Sequence, residues 1–334
     1  MSMYTTLKDL CICPSVSGRE EKVREKIEKL ISPFCHELYT DKLGNLIALK
    51  KGNGDGKRVM LAAHMDEIGF LVTFIEDNGF VRIAPVGGIS FSAAAYCSVI
   101  SERGVRGTVV PEAKVKPADY KTDTFYIDIG ATSKKKAEAK VSIGDFFVLT
   151  PKLERLSGER VCGRPLDDRI GCAVLLDIAK KLWGDELCDD VYYVFSVQEE
   201  VGCRGAKTAA FAIAPDVALC FDVTATGDVP SATPMACSLG GGAAIKIKDS
   251  SVICDEGVVK ELCATAEKRD IKYQREILLA GGTDTSSMQL AGSGAAVGAL
   301  SVPTRYIHTE SELCDLSDAE ACVSLAVEFI RNGR

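Results

Sequence analysis

The sequence predicts an α/β fold, a mixed sheet flanked by helices, with a small all-β domain inserted into it. Three observations carry this. Buried-type strand runs at 58–64, 191–197 and 217–221 alternate with helical patterns at 169–183 and 204–213. Between about 70 and 160 that alternation stops, and short β-type runs punctuated by glycines replace it. Beyond 160 the alternation returns, so one domain spans 1–69 plus 161–334 and the insert spans 70–160.

The elements follow in order. Residues 19–33 carry Val23, Ile27, Leu30 and Ile31 on one helical face, and Ser17 with Glu20 resembles a capping box at its start. Strands are expected at 45–50 and 58–64. Phe70 to Ile75, the tight-turn sequence Asp77-Asn78-Gly79, and Phe80 to Ile83 read as a hairpin. Further β-type runs lie at 97–101, 105–110, 125–129 and 146–150. A helix at 169–183 ends at Trp183-Gly184, a strand follows at 191–197, a helix at 204–213 and a strand at 217–221. Helices at 256–269 and 317–331 complete the chain.

Composition narrows the function. The 334 residues are 46% hydrophobic and 26% charged, as in a globular protein with a sizeable core. The net charge is -7 with no long basic run, which favours neither nucleic acid nor an anionic membrane surface. No apolar run approaches the ~20 residues of a membrane span, and no secretory signal is visible, so a cytoplasmic location is expected. The 14 cysteines include no Cys-x-x-Cys pair, and many sit in apolar context, as expected of free thiols in a reducing compartment.

The chemistry is concentrated at the ends of apolar segments. His64 and Asp66 close the run Leu61-Ala62-Ala63-His64-Met65-Asp66, and Glu199-Glu200 follow Val194 to Gln198. Asp222 follows Val217 to Phe221, Asp167-Asp168 precede a helix, and His308 ends Arg305-Tyr306-Ile307-His308. Two of the chain's three histidines belong to this set. Ligands of open α/β sheets gather beyond the carboxyl ends of the strands, where His64, Glu199-Glu200 and Asp222 converge. Each residue admits a structural explanation by itself, a core histidine, a helix cap or a solvated strand end. Their joint placement at one sheet edge is what argues for a site. Imidazole with carboxylate and no thiolate suits a co-catalytic two-metal hydrolase. His36 has no acidic constellation around it and reads as structural.

These motifs resemble the TET-type glutamyl and leucyl aminopeptidases, dinuclear metallopeptidases with a zinc-peptidase-like fold, whose members also carry cellulase or endoglucanase names. The matching stretches are His64-Met65-Asp66-Glu67-Ile68-Gly69, Leu166-Asp167-Asp168-Arg169, Gln198-Glu199-Glu200-Val201-Gly202, Phe221-Asp222-Val223-Thr224, Gly281-Gly282-Thr283-Asp284 and Arg305-Tyr306-Ile307-His308. The resemblance implies that Asp167 bridges two divalent ions, with Asp168 the alternative bridge. It implies that His64 and Asp222 complete one ion's site, and Glu200 and His308 the other's. Glu199 would act as general base on a metal-activated water, and Asp66 would orient His64. Zinc is the expected metal, with cobalt or manganese as alternatives. The resemblance further implies that the insert is a dimerisation domain, that dimers build a tetrahedral dodecamer, and that short peptides are the substrates. One departure is Thr309-Glu310-Ser311-Glu312, which is more acidic than the family pattern and bears on the adjacent substrate pocket. That pocket is expected from loops around Gly241–Ala243 and Gly281–Ser287.

The expected function is therefore a metal-dependent aminopeptidase acting on short peptides. A related metal-dependent amidase, deacylase or carboxypeptidase would use the same core. A glycosidase needs two carboxylates and neither metal nor histidine pair. A dinucleotide-binding dehydrogenase is disfavoured because no Gly-x-Gly-x-x-Gly follows the first strand.

Overall fold

The computed structural model describes residues 2–333. The first part of the chain contributes β1 (Glu37–Thr40), β2 (Leu46–Lys50) and β3 (Arg58–His64). A closed barrel follows, made of β4 (Gly69–Ile75), β5 (Val81–Val86), β6 (Ser98–Ser101), β7 (Arg106–Pro111), β8 (Phe125–Asp128) and β9 (Phe146–Leu149), in the order β4-β5-β8-β7-β6-β9. The remaining strands are β10 (Lys152–Arg155), β11 (Arg160–Arg164), β12 (Asp190–Ser196), β13 (Val217–Thr224), β14 (Ala243–Lys248), β15 (Tyr273–Ile277), β16 (Ala296–Arg305) and β17 (Glu312–Asp315). They join β1 to β3 in an 11-stranded mixed sheet ordered β1-β2-β12-β3-β13-β16-β17-β11-β10, with β14 and β15 branching from β16.

The four central strands, β12, β3, β13 and β16, are mutually parallel, so their carboxyl ends share one edge. β13 is buried along its whole length, as expected of a parallel strand covered on both faces. The pleat divides its neighbours between two helix layers. Leu61 and Ala63 of β3 pack with helices Glu21–Ile31, Arg169–Leu182 and Leu316–Arg331, whereas Met60 and Ala62 pack with helix Arg204–Ile213 and Met288. The barrel closes around its own core, which includes Phe70, Val99, Phe125 and Phe147. No helix among the described residues is long and apolar enough to cross a membrane, and every cysteine is free.

Several local expectations change. Residues 152–155, counted with the 70–160 insert, pair through β11 with the large sheet, so the barrel strands end at Leu149. The capping box at Ser17 and Glu20 does not form. Glu20 instead accepts the N–H groups of Gly18 (2.7 Å) and Gln198 (3.1 Å), and Ser17 donates to Asp66. β16 was not expected, although it is the longest strand. Its glycine, proline and small residues mask the strand signal, and only pairing with buried β13 supplies it.

Candidate metal centre

His64 is the last residue of β3, so its ring emerges where the central strands end. Glu199 and Glu200 lie just beyond β12, Asp222 lies near the end of β13, and His308 just beyond β16. Asp167 comes from the other side, in the turn ahead of helix Arg169–Leu182. The parallel register therefore brings four segments distant in sequence to one place.

Asp167 is the centre of this group. Its Oδ1 lies 3.0 Å from His64 Nε2, and its Oδ2 lies 3.1 Å from His308 Nε2. Glu200 Oε1 is 3.2 Å from His308 Nε2, and Asp222 Oδ1 is 4.0 Å from His64 Nε2. Asp168 is occupied otherwise. Its Oδ1 caps the following helix at Gly171 N–H (3.0 Å), and its Oδ2 accepts the His64 N–H (3.2 Å).

The remote nitrogens of both histidines are held. His64 Nδ1 is 3.0 Å from the Asp66 carbonyl and 3.5 Å from its carboxylate. The strand stops at His64, so this contact comes from the turn that follows it. The Asp66 carboxylate accepts Ser17 Oγ–H (2.7 Å) and the N–H groups of Glu199 (2.9 Å) and Glu200 (3.2 Å). Asp66 thus holds the ring through its carbonyl and the two glutamates through its buried carboxylate. His308 Nδ1 is 2.9 Å from the carbonyl of Gly88, at the barrel end of the site. A Cβ on Gly88 would stand 3.1 Å from that nitrogen, and one on Gly87, whose φ is +77°, only 2.7 Å from Ile68. Only glycines allow so close an approach. His308 itself is left-handed (φ +64°), a conformation costing roughly 1–3 kcal/mol away from glycine, and the surroundings must impose it.

Much of that support was not singled out in the sequence. Glu312, read there as a perturbation of the substrate pocket, is buried beneath the site. Its carboxylate accepts the N–H groups of Leu166 (2.6 Å), Asp167 (3.2 Å) and His308 (3.0 Å). Glu67 forms a buried pair with Arg164 (3.1 Å), while Arg169 donates to the carbonyls of Met65, Leu10 and Cys13. Arg164 and Arg169 bracket the Asp167-Asp168 turn, and these flanking arginines were the available signal. Of the expected pocket loops, residues 281, 282, 286 and 287 line the cleft. Gly240 and Gly242 instead donate to buried Asp318, away from it. His36 accepts the Lys51 N–H and stacks on Trp183, a structural role.

The electrostatics show what the group lacks. Burial pushes the carboxyls of Glu199 and Asp222 well above the usual range, His64 pulling them down less than burial raises them. Burial would lower the His64 value, but hydrogen bonds to Asp167 and Asp66 raise it overall. For Asp167, burial opposes ionisation, and hydrogen bonds from His308 and His64 overcome it. Five acidic residues, Asp167, Asp168, Glu199, Glu200 and Asp222, thus crowd around two imidazoles, with no lysine or arginine among the described residues that line the cleft. Glu200 Oε1 is buried and makes no hydrogen bond, although His308 Nε2 is 3.2 Å away. Buried like charges and an orphaned carboxylate oxygen fit divalent cations. Two three-residue sets meet the spacing for one, His64 with Asp167 and Glu200, and His64 with Asp168 and Asp222. Beside them opens a cleft of about 750 Å³.

Comparison with known proteins identifies the family. The family described as M42 glutamyl aminopeptidase matches residues 44–325. A relative from Acetivibrio thermocellus is 46% identical over 98% of each chain. A lysyl aminopeptidase from Pyrococcus furiosus is 34% identical, covering 97% of this chain and 95% of its own. Among solved structures, an aminopeptidase from the archaeon Desulfurococcus kamchatkensis superposes with a TM-score of 0.95 at 35% identity, covering 99% of this chain and 95% of its own. The Pyrococcus horikoshii TET1 peptidase, which can assemble into a tetrahedron or a large octahedral shell, superposes with a TM-score of 0.86 at 35% identity, covering 98% and 99%. By these matches and by its own architecture, the chain belongs to the M42 glutamyl aminopeptidase family.

Proposed function

We propose that this protein is a metal-dependent aminopeptidase that removes N-terminal residues from short peptides at a dinuclear centre. The observation that carries the reading is Asp167, whose two oxygens face one imidazole each, 3.0 and 3.1 Å away. A shared anion between two nitrogen donors is what a pair of divalent ions roughly 3.5–4 Å apart requires. In this reading Asp167 bridges, His64 and Asp222 complete one ion's shell, and Glu200 and His308 the other's. Asp168, already committed to a helix cap and to the His64 N–H, is left the structural role. Zinc suits the donors, and cobalt and manganese also fit nitrogen and oxygen ligands. When bound, such ions polarise a carbonyl and make water a nucleophile near neutral pH.

The chain's own residues do the rest. Glu199, half-buried at the cleft and with its carboxyl raised by burial, is suited to take a proton and return it to the leaving amine. Asp66 is a positioning residue that holds His64 Nδ1 and the Glu199 N–H together. Val223, Ser250, Leu278, Ser286 and Ile307 line the cleft, with no lysine or arginine among the described lining residues, which supports neutral N-terminal side chains over acidic ones. The proposal extends to a homo-oligomer built on barrel-mediated dimers, in the cytoplasm, with the tetrahedral assembly of the relatives as its largest form. Light scattering of the purified protein tests the assembly.

The activity is tested with aminoacyl-p-nitroanilides and short peptides after reconstitution with zinc, cobalt or manganese. Metal-dependent release from free-amine substrates and none from N-acetylated ones is the expected result. Activity confined to the acetylated set would replace the reading with a deacylase, and release from the carboxyl end with a carboxypeptidase. Activity on glycans that survives chelation would replace it with a glycosidase.

A further inference from the structure

A second cluster of donor atoms adjoins the first and shares Glu199 with it. Glu199, Cys203 and Asp284 place a carboxylate oxygen, a sulfur and another carboxylate oxygen within 4.8 Å of one another. Cys203 caps helix Arg204–Ile213 from a left-handed conformation (φ +51°), which turns its side chain back towards Glu199, and Sγ donates to Glu199 Oε1 at 3.2 Å. Asp284 reaches the cluster from the loop ahead of helix Thr285–Gln289. It is 1% exposed, one of its oxygens accepts Ser196 Oγ–H at 2.5 Å, and its Oδ1 is buried with no hydrogen-bond partner. Native structures rarely leave a buried carboxylate oxygen orphaned unless something else pairs with it. Glu199 and Cys203 also line the open cleft, so an ion can reach them from solvent.

We propose that Glu199, Cys203 and Asp284 form a further cation site that takes thiophilic divalent ions, zinc and cadmium, and that its occupancy blocks turnover. The thiol sets the selectivity. A site with one sulfur and two carboxylate oxygens suits zinc or cadmium, whereas manganese and magnesium prefer oxygen alone. On binding, the Sγ–H bond breaks, the sulfur keeps its electron pair and coordinates the ion, and the proton leaves to solvent. No oxidant or reductant is needed. The ion then occupies the Glu199 carboxylate. The blocking half rests on Glu199 being the proton carrier of the proposed peptidase, whereas the binding half does not. The same element would thus support turnover at low concentration and suppress it in excess.

The test compares wild type with Cys203→Ser by equilibrium dialysis against cadmium and against manganese. Cadmium binding is also followed by the ultraviolet thiolate-to-metal charge-transfer band. Wild type should bind one more cadmium per chain than the variant, with a stronger band, and equal manganese. Excess zinc should inhibit wild-type peptide hydrolysis at a concentration about tenfold or more below that which inhibits Cys203→Ser, an effect at least as large as the lower end of that from removing a ligand's outer partner. Asp284→Asn, which keeps the thiol, should weaken the extra equivalent, and it decides the matter if Cys203→Ser fails to fold. Equal cadmium stoichiometry and equal spectra in wild type and variants would overturn the site. An extra ion that leaves hydrolysis unaffected would overturn its blocking role. Absence of hydrolysis with every metal would sink the peptidase reading and leave the dialysis result standing.

Discussion

Glu312 Oε1 accepts the His308 N–H at 3.0 Å, while its other oxygen accepts the Asp167 N–H at 3.2 Å. One buried carboxylate therefore sets the backbone of two residues whose side chains face each other across the site. Glu312→Gln keeps the size but turns an amide N–H₂ towards at least one of these donors. A buried donor left unsatisfied costs about 1–3 kcal/mol, so denaturant unfolding should show a loss of that order. Metal affinity, followed by competition with a chromophoric chelator, should weaken about 10–100-fold, as it does when outer partners of ligands are removed. An unchanged affinity would mean that the His308 loop holds its shape without Glu312.

Glu199→Gln removes the proposed proton acceptor and keeps the backbone N–H that Asp66 binds. The variant should load metal as wild type does, by elemental analysis, and lose about 10²–10⁴-fold in kcat. A loss of metal together with activity would move Glu199 from proton carrier to ligand.

Removal of metal by chelation should abolish hydrolysis and lower the melting temperature, because the five crowded carboxylates are then left uncompensated. An ion that binds the folded state alone stabilises by about 2.7 kcal/mol at a hundred times its dissociation constant. Differential scanning calorimetry before chelation, after it and after metal is restored checks both the sign and the reversal.

With no lysine or arginine among the described residues lining the cleft, leucyl and methionyl substrates should exceed glutamyl and aspartyl ones in kcat/KM. One unpaired charge brought into the cleft is costly, so the gap should reach at least about tenfold. The same substrate panel measures it, and a preference for glutamyl substrates would require a cationic group supplied from outside this chain's cleft.

Asp318 gives a pH signature outside the candidate metal centre. It is fully buried, accepts the N–H groups of Gly240 and Gly242 at 2.7 Å each, and burial pushes its carboxyl up from 3.8 to about 6. The folded state therefore holds more protons than the unfolded state between those values. Its contribution to stability is greatest below about 3.8, declines as pH rises to about 6, and is constant above. The stability difference between wild type and Asp318→Asn should follow that course in urea melts across pH 4–7, and a difference flat in pH would refute the assignment.

The sequence by itself determined the α/β class, the interruption by β-type runs, and the metal-type residues at segment ends. These are local signals. An apolar run such as Val217 to Phe221 reads as buried wherever it packs, and few residue types besides His, Asp and Glu can hold a hard cation without thiolate. What the sequence left undecided depended on atoms far apart along the chain. β16 became a strand only by pairing with β13, and the capping box at Ser17 lost to Asp66, a partner 49 residues away. The choice between Asp167 and Asp168 was invisible in two adjacent identical side chains. Tertiary structure gives them different surroundings: a helix N-terminus and the His64 N–H engage Asp168, while both imidazoles face Asp167. Hydrogen-bond direction is fixed by the fold around a residue, and residue identity alone does not carry it.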